Sequence, residues 1–289
     1  MATAEMVITV RRLAAAALAG LAVIALAACG SGGEGPNPSP APVPGATPNG
    51  RLTIGIPFDQ PGIGLKDGTS YRGFDVETAT YVAKALGVPE ANITWKEAIG
   101  ADRERLLISG EVDLVFSTYS ITDERKQVVD FAGPYFLAHQ DLLVRRNETE
   151  ITGPETLNGR DLCSVAGTTS AAYVRQRYEG RIQLKELPNY SACVHALADS
   201  QVDAVTTDDV ILAGFAAEPQ YQGTLKVVGE GFSDESYGVG IRKGNTALRD
   251  QVNAALKQYV EDGSWRRALG ITVEPSGYQI PDPPNPGSA

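Results

Sequence analysis

The spacing of apolar residues changes period repeatedly along the chain, and each change marks an element. Between Arg51 and Pro57, Leu52, Ile54 and Ile56 alternate with smaller or polar residues, the period-two pattern of a strand. From Asp75 the period lengthens: Val76, Ala79, Ala83 and Leu86 fall on one helical face, with Asp75 placed to cap the helix and Gly87 to end it. Ile93–Trp95 predicts a strand, Asp102–Ser109 a helix and Val112–Phe116 a further strand. A second series follows, with strands over Leu162–Val165, Ile182–Leu187 and Val202–Thr206. Helices are predicted between and after them, over Ala171–Tyr178, Ser191–Asp199 and Asp208 to about Ala217. Ser236–Ile241 reads as a last strand. Leu248, Val252, Leu256 and Val260 then give an amphipathic helix ending at Gly263, with Trp265 and Leu269 docking the C-terminal helical region.

Strands alternating with helices predict an α/β layer structure with a mainly parallel sheet. Two such series, each about the size of a small domain, predict two lobes facing across a cleft. Ligands of α/β sheets sit beyond the carboxyl ends of the strands, so the cleft is where a site is expected. Outside this region the pattern fails. Arg11 and Arg12 precede an apolar run, Leu13–Ala28, of signal-peptide length and short for a membrane span. It ends in Leu26-Ala27-Ala28-Cys29, which resembles a bacterial lipobox with Cys29 as the lipidated mature N-terminus; an ordinary secretory cleavage site is the alternative. Pro, Gly, Ser and Ala dominate the stretch up to Gly50, which predicts an extended tether. The expected organisation is a signal peptide at 1–28, a tether at 29–50, lobe one at 51–142 with a return at 237–275, lobe two at 143–236 and a flexible tail at 276–289.

Composition narrows the chemistry. A net charge of −10 argues against nucleic-acid binding, which calls for a basic patch. With Cys29 lipidated, Cys163 and Cys193 remain as a candidate disulfide in an oxidising compartment, or as two buried thiols. Two histidines and these cysteines lack metal-ligand spacing, so no metal or cofactor is expected. His139, His195 and Tyr190 read as packing or surface residues.

Three stretches carry candidate binding groups. The strand ending at Phe116 delivers Ser117, Thr118 and Ser120, and Thr122 then caps a short helix bearing Arg125. A guanidinium beside hydroxyls and free backbone groups suits a carboxylate, although Arg125 also reads as a surface residue paired with Asp123 or Glu124. Gly167-Thr168-Thr169-Ser170 opens a helix whose first amides attract an anion, and its threonines serve equally as caps. Asp208 ends one strand and starts a helix, as an N-cap or as a carboxylate facing the cleft, with Asp209 its neighbouring competitor.

The run Ser117-Thr118-Tyr119-Ser120-Ile121-Thr122-Asp123-Glu124-Arg125, with Asp130-Phe131, Pro134-Tyr135 and Gly73-Phe74-Asp75, resembles the signature of polar-amino-acid-binding proteins of ABC transporters, the family 3 solute-binding proteins. Phe58-Asp59-Gln60-Pro61-Gly62, Leu162-Cys163-Ser164-Val165 and Val205-Thr206-Thr207-Asp208 are similar to glutamate-binding lipoproteins of Gram-positive bacteria, and the likeness runs collinearly over about residues 51–275. It implies the type II periplasmic-binding-protein fold, two α/β lobes joined by two crossings. It implies that Arg125 clamps the ligand α-carboxylate, Ser120 touches the α-amino and α-carboxyl groups, and the Thr118 carbonyl accepts from the ammonium. Asp208 pairs with that ammonium, and Thr168, Thr169 and Ser170 contact the carboxylate on closure. Arg103 matches an arginine on the distal carboxylate of glutamate or aspartate, its alternative being a solvated residue between Asp102 and Glu104. Phe58 is an apolar wall or a core residue. Pro57 stands where similar glutamate binders carry Lys, which leaves glutamine, asparagine or aspartate open. The resemblance further implies a monomer, anchored to the outer face of the membrane through lipid, that hands an amino acid to an ABC permease. A sensor subunit signalling to a membrane kinase would have the same site. A dehydratase on this fold would need an acid or base, for which Glu97 and Asp59 are the candidates.

Overall fold

The computed structural model describes residues 50–289; the apolar leader, Cys29 and the tether up to residue 49 lie outside the described residues. The first half contains β1 (Leu52–Ile56), β2 (Asp59–Gln60), β3 (Gly64–Asp67), β4 (Ser70–Arg72), α1 (Phe74–Ala85), β5 (Ile93–Glu97), α2 (Arg103–Ser109), β6 (Leu114–Val115), α3 (Asp123–Lys126) and the long β7 (Val129–Arg145). The second contains β8 (Asp161–Val165), α4 (Thr169–Tyr178), β9 (Gln183–Leu187), α5 (Tyr190–Ala198), β10 (Ala204–Asp208), α6 (Asp209–Ala216), β11 (Leu225–Val227), β12 (Ser233–Arg242), α7 (Thr246–Glu261) and α8 (Ser264–Thr272).

Strands join in the order β5-β1-β6-β12-β7-β10-β8-β9, with β11 beside β7. Pairing is parallel for β5-β1-β6 and for β10-β8-β9. The two crossings β7 and β12 run antiparallel to each other, from Val129 opposite Arg242 to Gln140 opposite Ser233. One lobe is built on the β5-β1-β6 side and the other on the β10-β8-β9 side, and the crossings carry the chain between them. This is the type II periplasmic-binding-protein arrangement.

Burial follows the sequence pattern. Leu52, Ile54 and Ile56 of β1 are buried, as are Val76, Ala79 and Ala83 on the inner face of α1. Phe74, Phe116, Tyr135, Phe136, Tyr237 and Trp265 pack ring against ring. The Trp265 indole N–H donates to the Tyr135 carbonyl (2.8 Å), which satisfies the one polar atom of a buried ring. Cys163 of β8 and Cys193 of α5 form a disulfide with Cα atoms 5.5 Å apart. Its chain-entropy contribution is about 3–4 kcal/mol for a loop of this length.

Four features depart from the sequence reading. The strand expected over Val112–Phe116 pairs only at Leu114–Val115, because the chain leaves the sheet once Phe116 N–H has reached the Gly55 carbonyl. The long strand β7 was not predicted: its almost continuously buried residues show no alternation to read. Asp75 is not a cap; α1 starts at Phe74 behind Gly73, and the Asp75 side chain turns inward. The C-terminal stretch, expected to be a free tail, runs back over the fold: the Tyr278 hydroxyl donates to Asp209 Oδ2 (3.1 Å) and the Gly287 N–H to the Gly133 carbonyl (2.7 Å). Among the described residues, no helix is long and apolar enough to cross a membrane.

Candidate ligand-binding site

A cavity lies where the strand ends of the two lobes meet. From one side it is lined by Pro57, Gln60, Arg103, Ser117 and Thr118, and from the other by Thr168, Thr169, Ser170, Asn189, Tyr190 and Asp208. The lobes are in contact around it. The Ser191 N–H at the start of α5 donates to Asp59 Oδ2 (3.0 Å) across the cleft. Gly214 and Gly167 lie against opposing backbone: a Cβ would come within 2.1 Å of the Pro61 carbonyl oxygen at the first and 2.6 Å of the Ala101 Cα at the second.

Lobe one supplies the cations. Arg103, in the first turn of α2, is 3 % exposed, which removes the solvated reading. Its Nη1 donates to the carbonyls of Ser117 (2.9 Å) and Thr118 (3.2 Å), and its Nη2 to Gly167 of the other lobe (3.2 Å). Its Nε is buried with no partner. Arg125 is held by α3, which Thr122 caps as its sequence predicts by accepting from the Arg125 N–H (3.1 Å). Its Nη1 donates to the Ser120 carbonyl (2.7 Å) and its Nη2 to the same Gly167 carbonyl (3.0 Å). Both guanidinium carbons lie within 5 Å of the centre of the Tyr119 ring, at 4.5 and 4.9 Å. Glu104 completes the group: it accepts from the Tyr119 hydroxyl (2.6 Å) and pairs with Arg125 Nε (3.4 Å), so the surface pairing with Asp123 or Glu124 is not the one found. Burial first, and then the charge of Arg103, lowers the Arg125 pKa to about 10.

Lobe two supplies the anion. Asp208 occupies the N-cap position of α6 but makes no side-chain cap bond. Its Oδ2 instead accepts from the Tyr237 hydroxyl (2.5 Å), and its Oδ1 is buried without a partner. Burial and the nearby Glu235 raise its pKa well above the carboxylate range. Asp209 faces the other way, accepting from the His139 N–H (3.2 Å) and from Tyr278. Thr168 caps α4, accepting from the Ala171 N–H (3.1 Å), so the capping reading and a place on the cavity wall coexist. Thr169 Oγ1 donates to Glu235 (3.0 Å) and lies 3.4 Å from Ser120 Oγ across the cleft.

The structure thus brings Arg103, Thr118, Thr168, Thr169, Ser170 and Asp208 onto one cavity. Arg125 lies beside it, lining the adjoining groove with Glu104, Thr122 and Glu235, and Ser120 reaches Thr169 at its edge. Phe58 is placed outside: it packs on Tyr71 (5.3 Å) with Lys66 over its ring (5.1 Å), while Pro57 and Gln60 of the same loop form the wall. Of the two acid–base candidates, Asp59 is on the cavity wall with its Oδ2 accepting from the Ser191 N–H, and Glu97 is exposed and outside the cavity lining. Gln60, Asn189, Tyr190 and Glu235 were not singled out as contacts by sequence reasoning. Asn189 and Tyr190 had a local signal in the helix start after Leu187; Glu235 had none.

Comparison with known proteins agrees with the fold. Residues 52–269 match the family of bacterial extracellular solute-binding proteins, family 3. The glutamate-binding protein GluB of Corynebacterium glutamicum is 43 % identical over 235 residues, 78 % of this chain and 79 % of the relative. The ABC transporter glutamine-binding protein GlnH of Bacillus subtilis is 35 % identical over 220 residues, 75 % and 79 % of the two chains. Among solved structures, an ancestral arginine-binding protein bound to glutamine superposes with a TM-score of 0.72 at 33 % identity, covering 78 % of this chain and 99 % of its own. The family match spans most of the chain and the fold agrees with it: the protein is a member of the bacterial extracellular solute-binding proteins, family 3.

Proposed function

We propose that this protein is an extracytoplasmic lipoprotein, anchored through Cys29, that captures an acidic amino acid and delivers it to an ABC-transporter permease. The observation that carries the ligand class is a pair of buried, unpartnered atoms of opposite character on one cavity: Arg103 Nε from lobe one and Asp208 Oδ1 from lobe two. A zwitterion satisfies both, and leaving either charge unpaired in a closed cleft is costly. The ammonium pairs with Asp208 and the Thr118 carbonyl. Arg125, with Ser120 and Thr169, takes the α-carboxylate in place of its bond to Gly167, and Arg103 takes the distal carboxylate. Two converging guanidiniums favour a ligand with two carboxylates and disfavour a cationic side chain. Contacts from both lobes exist only in the closed state, and this difference draws the equilibrium toward closure.

A second reading, a glutamine or asparagine binder, is supported by Pro57 in the cavity wall, which leaves that side without a lysine. Calorimetric titration with Glu, Asp, Gln, Asn and Arg in parallel separates the two. The expected result is micromolar or tighter binding of Glu or Asp, about −8 kcal/mol, lost in Arg125→Ala and weakened in Arg103→Ala. Preference for Gln or Asn moves Arg103 away from a distal carboxylate, and binding of none of the five sinks the amino-acid assignment.

A further inference from the structure

Thr118 adopts φ +40°, a left-handed conformation uncommon for residues other than glycine and most of all for a β-branched one. Something must hold it there. Its N–H donates to Asp75 Oδ2 (3.0 Å), and Asp75 Oδ1 accepts from the Tyr135 hydroxyl (2.7 Å). Asp75 is fully buried, and both its oxygens are taken. On its other side, the Thr118 carbonyl accepts from Arg103 Nη1 (3.2 Å) and its hydroxyl lies 3.4 Å from Gln60 Oε1, both at the cavity wall.

The Gly73-Phe74-Asp75 triplet is arranged to free this carboxylate. The Phe74 and Asp75 N–H groups, which a helix start leaves unbonded, donate to the carbonyls of Gly62 (3.0 Å) and Ile63 (2.8 Å). That approach needs Gly73, whose φ is +120° and where a Cβ would lie 2.3 Å from the Ile63 carbonyl oxygen. With the first amides of α1 satisfied by the preceding loop, Asp75 has no capping work and its side chain crosses to Thr118.

We infer that Asp75 is a positioning residue for ligand binding: by holding the Thr118 N–H it fixes the strained residue whose carbonyl orients Arg103 and faces the cavity. The inference rests on the amino-acid reading for its effect on affinity, and on the clamp itself for its effect on Thr118. The test uses the amino acid that the wild-type protein binds most tightly, with affinity measured well below each variant's melting temperature. Asp75→Ala is expected to weaken binding at least about tenfold, the loss of one hydrogen bond to a charged group. Asp75→Asn, whose amide oxygen still accepts from Thr118 and whose NH2 donates to the Tyr135 oxygen, is expected to stay within about threefold of wild type. A folded Asp75→Ala variant with wild-type affinity overturns the inference, as does an Asp75→Asn variant as weak as Asp75→Ala. Should Asp75→Ala not fold, Tyr135→Phe decides: it releases one arm of the carboxylate and is expected to cost a few-fold in affinity, and no change overturns the role. A wild-type protein that binds no amino acid sinks the proposed function instead. The clamp is then read from hydrogen exchange of the Thr118 amide, protected in wild type and Asp75→Asn and faster in Tyr135→Phe; equal exchange in all three overturns it.

Discussion

Asp75 and Asp208 are buried near the cleft in opposite lobes, and each accepts from a tyrosine hydroxyl: Asp75 from Tyr135, Asp208 from Tyr237. The two rings pack on each other 6.1 Å apart. Burial raises both pKa values, Asp75 to about 7 and Asp208 well above its ordinary range. By burial and titration they look alike. They differ in what the second oxygen does. In Asp75 it accepts from the Thr118 N–H, whereas in Asp208 it has no partner and lines the cavity. The free oxygen of Asp208 is on the cavity wall, where a group from outside can reach it, and Asp75 has none to offer. The raised pKa values do not separate the two carboxylates; the hydrogen-bond inventory does.

The largest expected effect follows from that contrast. On the proposed function, Asp208→Asn removes the charge that meets the ligand ammonium, and truncating one side of a buried ion pair costs about 2–5 kcal/mol, roughly 30-fold to several thousand-fold in affinity. The ligand-free protein should melt no lower than wild type, because a carboxylate without a full set of partners has been removed from the interior. The same change at Asp75 leaves affinity nearly intact. Titration and thermal melts on the two Asp→Asn variants check both halves; a tight-binding Asp208→Asn variant collapses the distinction.

A smaller effect is expected in pH dependence of stability. Asp75 faces the Tyr135 hydroxyl, the Thr118 N–H and the more distant charge of Arg103, and burial outweighs them. With a folded pKa of about 7 against 3.8 unfolded, the folded state holds the proton more tightly. Its contribution is therefore fully present below pH 4 and lost as the pH rises toward 7. The slope from this one group is at most about 1.4 kcal/mol per pH unit. Melting temperatures measured from pH 4.5 to 7.5 should fall less steeply in Asp75→Asn than in wild type. Identical slopes would mean that Asp75 is ionised throughout.

The contrast also shows what sequence reasoning reaches. The alternation of strands and helices, the caps at Thr122 and Thr168, and the placing of Asp208 at a strand end were legible because each depends on local spacing, whereas Arg103 was reached only through the family resemblance. The role of Asp75 was not. At the start of a helix an Asp reads as a cap, and only the loop carbonyls of Gly62 and Ile63, brought in by tertiary packing, relieve it of that work. Phe58 and Pro57 fail in the same way: adjacent residues, of which the loop turns one outward onto Tyr71 and the other onto the cavity. Asp208 and Asp209 competed in sequence; the strand-to-helix turn sends the two side chains in opposite directions, Asp208 to the cavity wall and Asp209 to Tyr278.

The smallest effect tests the tyrosines rather than the carboxylates. Tyr237→Phe deletes the one hydroxyl that bonds Asp208 and leaves both oxygens without a protein partner, which pushes the pKa of Asp208 further up. Ionised Asp208 is the form that meets an ammonium, so more of the binding free energy must go into deprotonation. The expected loss is about 1–2 kcal/mol at neutral pH, roughly five- to thirtyfold in affinity. It should shrink as the pH rises, because deprotonation then becomes free in both proteins. The pH at which affinity levels off should move upward in Tyr237→Phe and stay at the wild-type position in Tyr135→Phe, whose hydroxyl serves a carboxylate outside the cavity. An equal shift in the two variants would show that ligand binding does not distinguish the two carboxylates.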